Sequence, residues 1–159
     1  MIWLVEEDAP KTPADYDRFV SAEIPDPNSE PELFEIVKKW MLHGPCSELN
    51  PHSSCMQSKA GSKKKVCDKG FPKELAEHTT AEAENKKPIY RRRCPEKGGQ
   101  TVTIRCSAMK RDVKLDNRWV VPYNKFLLRK YNCHMNVEIV CSVVGVKYIT
   151  KYLTKGADK

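Results

Sequence analysis

Between Cys46 and Pro72 the chain runs for 27 residues with only Leu49 and Val66 as aliphatic side chains, the rest being dominated by Ser, Lys, Asn and Gly. Such a stretch cannot bury enough apolar surface to offset the entropy of ordering it, so it is either a loop or is held by something other than a hydrophobic core. The same stretch carries Cys46, Cys55 and Cys67, follows His43, and holds His52 as a further imidazole. An HxxC pair across the Gly44-Pro45 turn is half of a tetrahedral zinc site, and two later cysteines complete a set of four N and S ligands. A bound zinc ion would account for the order of a segment without a core of its own. The competing reading is a loop of unligated thiols. On this basis residues 43–73 form a zinc-held insert between an N-terminal part, residues 1–42, and a C-terminal part, residues 74–159.

The flanking parts show ordinary secondary-structure signals. Ile2 to Val5 is a short apolar run that reads as the tail of a strand. Thr12-Pro13-Ala14-Asp15 opens a helix that runs through Phe19 and Val20. Leu33, Ile36, Val37, Trp40 and Met41 recur at spacings of three and four and mark an amphipathic helix ending at His43-Gly44-Pro45. Ile89 to Arg93 and Thr101 to Cys106 read as two strands of a basic hairpin around Glu96-Lys97-Gly98-Gly99. Asn124 caps a short helix through Tyr131. His134, Asn136 and Glu138 alternate with Met135, Val137 and Ile139, the period of a strand with one polar and one apolar face. Residues 143–153 return to helical spacing.

Charge narrows the partners. The net charge is +7, but residues 1–36 hold ten acidic and two basic side chains, so the remainder carries +15. A field of that sign attracts polyanions, and lysine and arginine contacts to phosphate supply most sequence-independent affinity for nucleic acid. Arg91, Arg92 and Arg93 are expected, with Lys86 and Lys87, to line a groove for single-stranded DNA; an exposed basic hairpin is the plain alternative. No apolar run approaches the roughly 20 residues of a membrane span, and Met1 to Val5 is too short for a signal peptide. The expected location is therefore intracellular. Seven cysteines there are thiols or metal ligands rather than a disulfide framework, and Cys94, Cys106, Cys133 and Cys141 read as thiols.

Tyr148 and Tyr152 lie four apart, on one face if helical, beside a stripe of Lys147, Lys151 and Lys155. A tyrosine phenolate can attack a DNA phosphodiester and hold one end covalently, with neighbouring lysines lowering its pKa and balancing charge. On spacing alone the pair reads as core or interface residues rather than nucleophiles. Four blocks in order carry a resemblance: His43-Gly44-Pro45-Cys46, Tyr90-Arg91-Arg92-Arg93, Leu115-Asp116-Asn117-Arg118-Trp119-Val120-Val121-Pro122-Tyr123-Asn124, and Lys147-Tyr148 through Lys155-Gly156. Together they resemble the Rep region of Helitron transposases, over nearly the whole chain.

The resemblance implies an α+β fold, with an antiparallel sheet of about four or five strands and packed helices, the palm of an HUH-class endonuclease. It implies rolling-circle transposition, with single-stranded DNA nicked and rejoined at Tyr148 and Tyr152 assisted by Lys151, and Lys147 and Lys155 against the DNA. It also implies Mg or Mn at the nuclease centre, His134 and Glu138 as candidates for a third ligand, a helicase domain downstream, and work in the nucleus. The family's two metal-binding histidines would stand just before a strand resembling Met1-Ile2-Trp3-Leu4, and no His-x-His pair occurs in these residues. The expectation is thus a fragment that does not cleave DNA by itself. A binding-only reading competes with it: a basic, zinc-stabilised, non-catalytic DNA-binding module.

Overall fold

A computed structural model describes residues 10–58, 61, 64–80 and 88–139 of the chain. The strand at Ile2 to Val5, Lys86, Lys87, Cys141 and the segment bearing Lys147, Tyr148, Lys151, Tyr152 and Lys155 lie outside the described residues. The elements in chain order are helices α1 (Pro13–Phe19) and α2 (Pro31–Trp40), strands β1 (Met56–Ser58), β2 (Lys65–Cys67), β3 (Val102–Cys106) and β4 (Arg111–Leu115), and helix α3 (Lys125–Tyr131). Short 3-10 turns occupy Pro95–Lys97 and Asn117–Trp119. The class is α+β, as expected. Among the described residues, however, the four strands pair as two separate antiparallel hairpins, β1 with β2 and β3 with β4, and do not share one sheet.

Helix ends follow their local chemistry. Thr12 and Asp15 form a reciprocal capping box at α1, the Thr12 amide donating to Asp15 Oδ2 at 2.9 Å and the Asp15 amide to Thr12 Oγ1 at 3.2 Å. Asn124 caps α3 by accepting from the Leu127 amide at 2.9 Å, and its amide nitrogen donates to the Phe19 carbonyl at 2.8 Å. One side chain therefore starts α3 and binds the end of α1 to it. The stripe predicted for α2 is the buried one: Leu33 and Val37 are fully enclosed, with Met41 just beyond the helix. They pack with Leu115, Trp119, Val120, Tyr123 and Leu128 into the main core.

The basic hairpin expected around Glu96 to Gly99 does not form. Val102 and Ile104 instead face Leu115 and Val113 across a ladder that turns at residues 107–110, because those four side chains make one apolar face. Arg91 to Arg93 has no such face to offer. It runs along residues 76–80 through isolated bridges, Ala76 with Arg92 and Thr80 with Ile89. The Glu96 to Gly99 stretch is a 3-10 turn closed by Gly98 at φ +84°. At Gly99 a Cβ would fall 2.1 Å from the Arg93 carbonyl oxygen, so glycine is required for that approach.

Residues 134–139 show the predicted alternation, with Met135, Val137 and Ile139 half-buried and His134, Asn136 and Glu138 exposed. They are not laddered into a sheet. The segment is attached by the Val137 amide on the Pro122 carbonyl at 2.9 Å and the Ile139 amide on Tyr90 Oη at 2.8 Å.

A buried polar network joins the N-terminal part of the chain to the C-terminal part. The Arg92 guanidinium donates through Nη1 to the carbonyls of Asn117 at 2.6 Å, Val120 at 2.8 Å and Ala22 at 3.3 Å. Asn117, with no exposed surface, accepts from the Ile24 amide at 2.7 Å and donates to the Arg93 carbonyl at 2.9 Å. Glu23 takes Arg93 at 2.7 Å and Arg91 at 3.3 Å, and Arg91 also reaches Asp17 at 3.3 Å. Tyr123 closes the set by donating its hydroxyl to the Glu23 carbonyl at 2.9 Å.

Truncating Asn117 leaves an amide, a carbonyl and part of Glu23 without partners in a dry interior, so Asn117→Ala should cost about 2–4 kcal/mol in urea unfolding. An unchanged midpoint would show that the network is ornamental. Burial pushes the Glu23 carboxyl up, but its hydrogen bonds and ion pairs with Arg93 and Arg91 prevail and hold it below its usual 4.5. A depressed carboxylate contributes stability that is complete above the unfolded-state value and is lost as pH falls through the folded one. Stability should therefore fall on acidification below about pH 4.5, and Glu23→Gln should flatten that dependence in a pH series of unfolding midpoints.

Candidate metal centre

The coreless segment is organised around four side chains. His43, Cys46, Cys55 and Cys67 bring their ligand atoms within 4.8 Å of one another, with Cys46 and Cys67 buried and His43 and Cys55 half-buried. His43 Nε2 lies 3.5 Å from Cys67 Sγ. That matches the edge of about 3.5 Å between N and S in a tetrahedron built on zinc bond lengths of about 2.0 and 2.3 Å.

Each ligand arrives by a different local device. His43 follows α2 and is pinned by its amide to the Trp119 carbonyl at 2.8 Å, next to the Val121 amide on the Met41 carbonyl. Its ring stacks on Phe71, centroids 4.3 Å apart and planes 11° from parallel, while Lys73 Nζ lies 4.9 Å from the far ring. Cys46 is turned inward by Ser47, whose φ of +54° bends the chain and whose hydroxyl donates to the Phe71 carbonyl at 3.0 Å. Cys55 and Cys67 stand at the mouth of the β1–β2 hairpin, where Met56 pairs with Cys67 and the Asp68 amide donates to the Cys55 carbonyl at 2.8 Å.

Electrostatics set the ligands apart. Burial and the two neighbouring sulfurs push the Cys46 thiol up to about 12 against the Ser47 hydrogen bond. Burial pushes Cys67 the same way, but the backbone amides of Phe71 and Lys69 hydrogen-bond to its sulfur and bring it below the usual thiol value. That amide cradle depends on Gly70 at φ +66°, the one position in the turn after Cys67 that needs a left-handed backbone. Burial together with Lys73 and Lys69 lowers His43, overriding the pull of Asp68, so the imidazole is neutral and able to ligate at physiological pH.

Three sulfurs and one imidazole are a soft donor set. They suit zinc and not Mg or Mn, which take oxygen ligands. The residues the sequence offered for Mg or Mn do not assemble such a site. His134 Nδ1 donates to the Trp40 carbonyl at 2.7 Å, and Glu138 accepts from Asn136 Nδ2 at 3.3 Å; both are exposed, and neither belongs to a metal-ligand cluster among the described residues. His52 is likewise outside the four-ligand group.

Of the arginines assigned to DNA, Arg92 is buried, while Arg91 and Arg93 pair with Glu23 and keep about 39% of each side chain exposed. Sequence reading missed Glu23, Asn117, Ser47, Phe71 and Gly70. A glycine three residues after a cysteine was the available signal for the last of these. No protein-family model matches the chain, and no curated protein matches it.

A chain loaded with metal should hold one ion, and Cys46→Ser or Cys67→Ser should abolish stoichiometric retention through gel filtration, measured by elemental analysis. Because the thiols and the imidazole must lose protons to bind, occupancy should decline as pH is lowered. Retention of one ion per chain by the Cys67→Ser protein would remove Cys67 from the site.

Proposed function

We propose that this chain is a zinc-stabilised, DNA-binding part of a rolling-circle transposase of the Helitron type. The observation that carries the reading is the convergence of His43, Cys46, Cys55 and Cys67 within 4.8 Å, in a segment that begins with one of the blocks resembling that family. All four ligand positions are filled by protein, as in structural rather than catalytic zinc sites. The ion would fasten residues 43–73 to the core through His43 and leave the chemistry to other residues.

Transesterification belongs to Tyr148 and Tyr152, with Lys151 beside them, and a palm built on one sheet of four or five strands belongs to the same proposal. The basic surplus after residue 36 supports a polyanionic partner. With Arg91 to Arg93 engaged internally, phosphate contacts fall to exposed cations such as Arg111 and Lys114 on β4 and Lys65 and Lys69 beside the metal centre. The binding-only reading is favoured by the closed, four-ligand character of the site. The two readings divide on covalent chemistry.

Single-stranded DNA should bind at low salt and weaken steeply toward physiological salt, the slope counting phosphates neutralised. Binding that is absent at low salt, or indifferent to salt, would sink the DNA assignment. Incubated with single-stranded DNA and Mn²⁺, the 159-residue chain should form no covalent adduct on a denaturing gel. The same chain preceded by a His-x-His strand should form one that the Tyr148→Phe, Tyr152→Phe double variant lacks. An adduct-free extended chain would favour the binding-only module.

A further inference from the structure

The solvent face of α3 carries an arrangement that neither the core nor the metal centre uses, and it adjoins Trp40 at the end of α2, which is half-buried against the core. Phe126 is 68% exposed and Tyr131 is 59% exposed. Lys130 stands between them with its ammonium 5.9 Å from the Phe126 ring centre and 5.5 Å from that of Tyr131. At the end of α2, Lys39 Nζ lies 4.7 Å from the Trp40 ring centre.

The two groups form one surface. Trp40 Nε1 donates to Asn132 Oδ1 at 2.9 Å, at the residue that ends α3, and His134 Nδ1 donates to the Trp40 carbonyl at 2.7 Å. Three rings and two lysines are thus held across adjacent helix ends. Singly exposed apolar residues are ordinary on a protein surface; here two large rings stand exposed on one short helix with a lysine in reach of both.

We propose that this face is where unpaired bases of single-stranded DNA stack, on Phe126, Tyr131 and Trp40, with Lys39 and Lys130 meeting the phosphates. The inference rests on the DNA-binding reading above and gives it an address. Charge decides the occupant. Lys125 and Arg129 of the same helix are taken by Glu30 at 2.7 Å each, whereas Lys39 and Lys130 make no carboxylate ion pair among the described residues and rest on rings. An ammonium over a ring can move to a phosphate at little cost, leaving the ring's face for a base. Combining aromatic platforms with cations is how proteins hold single strands without reading sequence, since every base has a π face. An apolar protein partner would gain nothing from the two ammoniums.

The test uses the whole chain and a labelled oligothymidylate at low salt, followed by anisotropy and by tryptophan emission. Phe126→Ala with Tyr131→Ala should weaken binding at least about fivefold per ring removed. Both side chains are more than half exposed, so folding should be unaffected, which circular dichroism checks. Phe126→Tyr with Tyr131→Phe should restore wild-type affinity, because a ring is kept at each position. In a Trp3→Phe background, quenching of emission by the oligonucleotide should disappear on adding Trp40→Phe, the remaining tryptophan, Trp119, being buried.

If the wild-type chain binds and the double alanine variant binds equally, this inference falls while the DNA reading stands. If the wild-type chain fails to bind at low salt, the DNA reading itself falls. Tighter binding of duplex than of single strand overturns stacking, and tighter binding of an RNA of the same sequence overturns the choice of DNA.

Discussion

A guanidinium removed from water must recover its hydrogen bonds from the protein, and Arg92 recovers them from the carbonyls of Ala22, Asn117 and Val120. Burial pulls it down to about 10, still well above neutrality, so it is a permanent charge inside the fold. Those carbonyls come from the link after α1 and from the turn before α3, so one side chain fixes where two distant stretches cross. The Glu23 and Asn117 contacts depend on that crossing, because Glu23 follows Ala22 and Asn117 lies within the same turn. His43 depends on it in turn, since its amide rests on Trp119, the residue between Asn117 and Val120 that completes the 3-10 turn. The metal ligands are thus placed by a network that contains none of them.

Helices were legible from sequence because their signals are local: Thr12 with Asp15, the Leu33–Val37–Met41 stripe, and Asn124 are each sufficient within a few residues. The metal ligands were legible for a different reason. A segment with so few aliphatic side chains excludes a hydrophobic explanation, and the His and Cys residues left over are the four that the fold brings together as a group able to hold a metal ion. Strand partners were not legible. Ile89 to Arg93 reads as a strand next to Val102 to Cys106, but which of two neighbours β3 chooses is settled by the apolar pair Val113 and Leu115, a tertiary preference that outweighs turn chemistry. The burial of Arg92 was not legible for the same reason: three consecutive positive charges look alike in sequence, and the carbonyls of Ala22, Asn117 and Val120 that enclose the middle one are distant along the chain.

This division between local and distant information also explains the position of the exposed aromatic face. Periodicity marks Phe126 and Tyr131 as members of a helix but not as its outer side, because α3 is short and its buried contact is chiefly Leu128. Only the packing of α2 against α3 shows that Trp40 ends beside Asn132 and that the rings gather there.

The β1–β2 hairpin separates two kinds of distance. Cys55 and Cys67 are joined at its mouth by the Met56–Cys67 pair and the Asp68 amide, so how near they stand owes nothing to how many residues lie around the far end. Related chains can therefore lengthen or shorten that far end freely, provided the ladder keeps its register. A pattern search demanding a fixed cysteine interval would pass over them. What such chains would have to share is the closing step at the mouth, a cysteine paired beside a backbone bond, followed by a glycine three residues later.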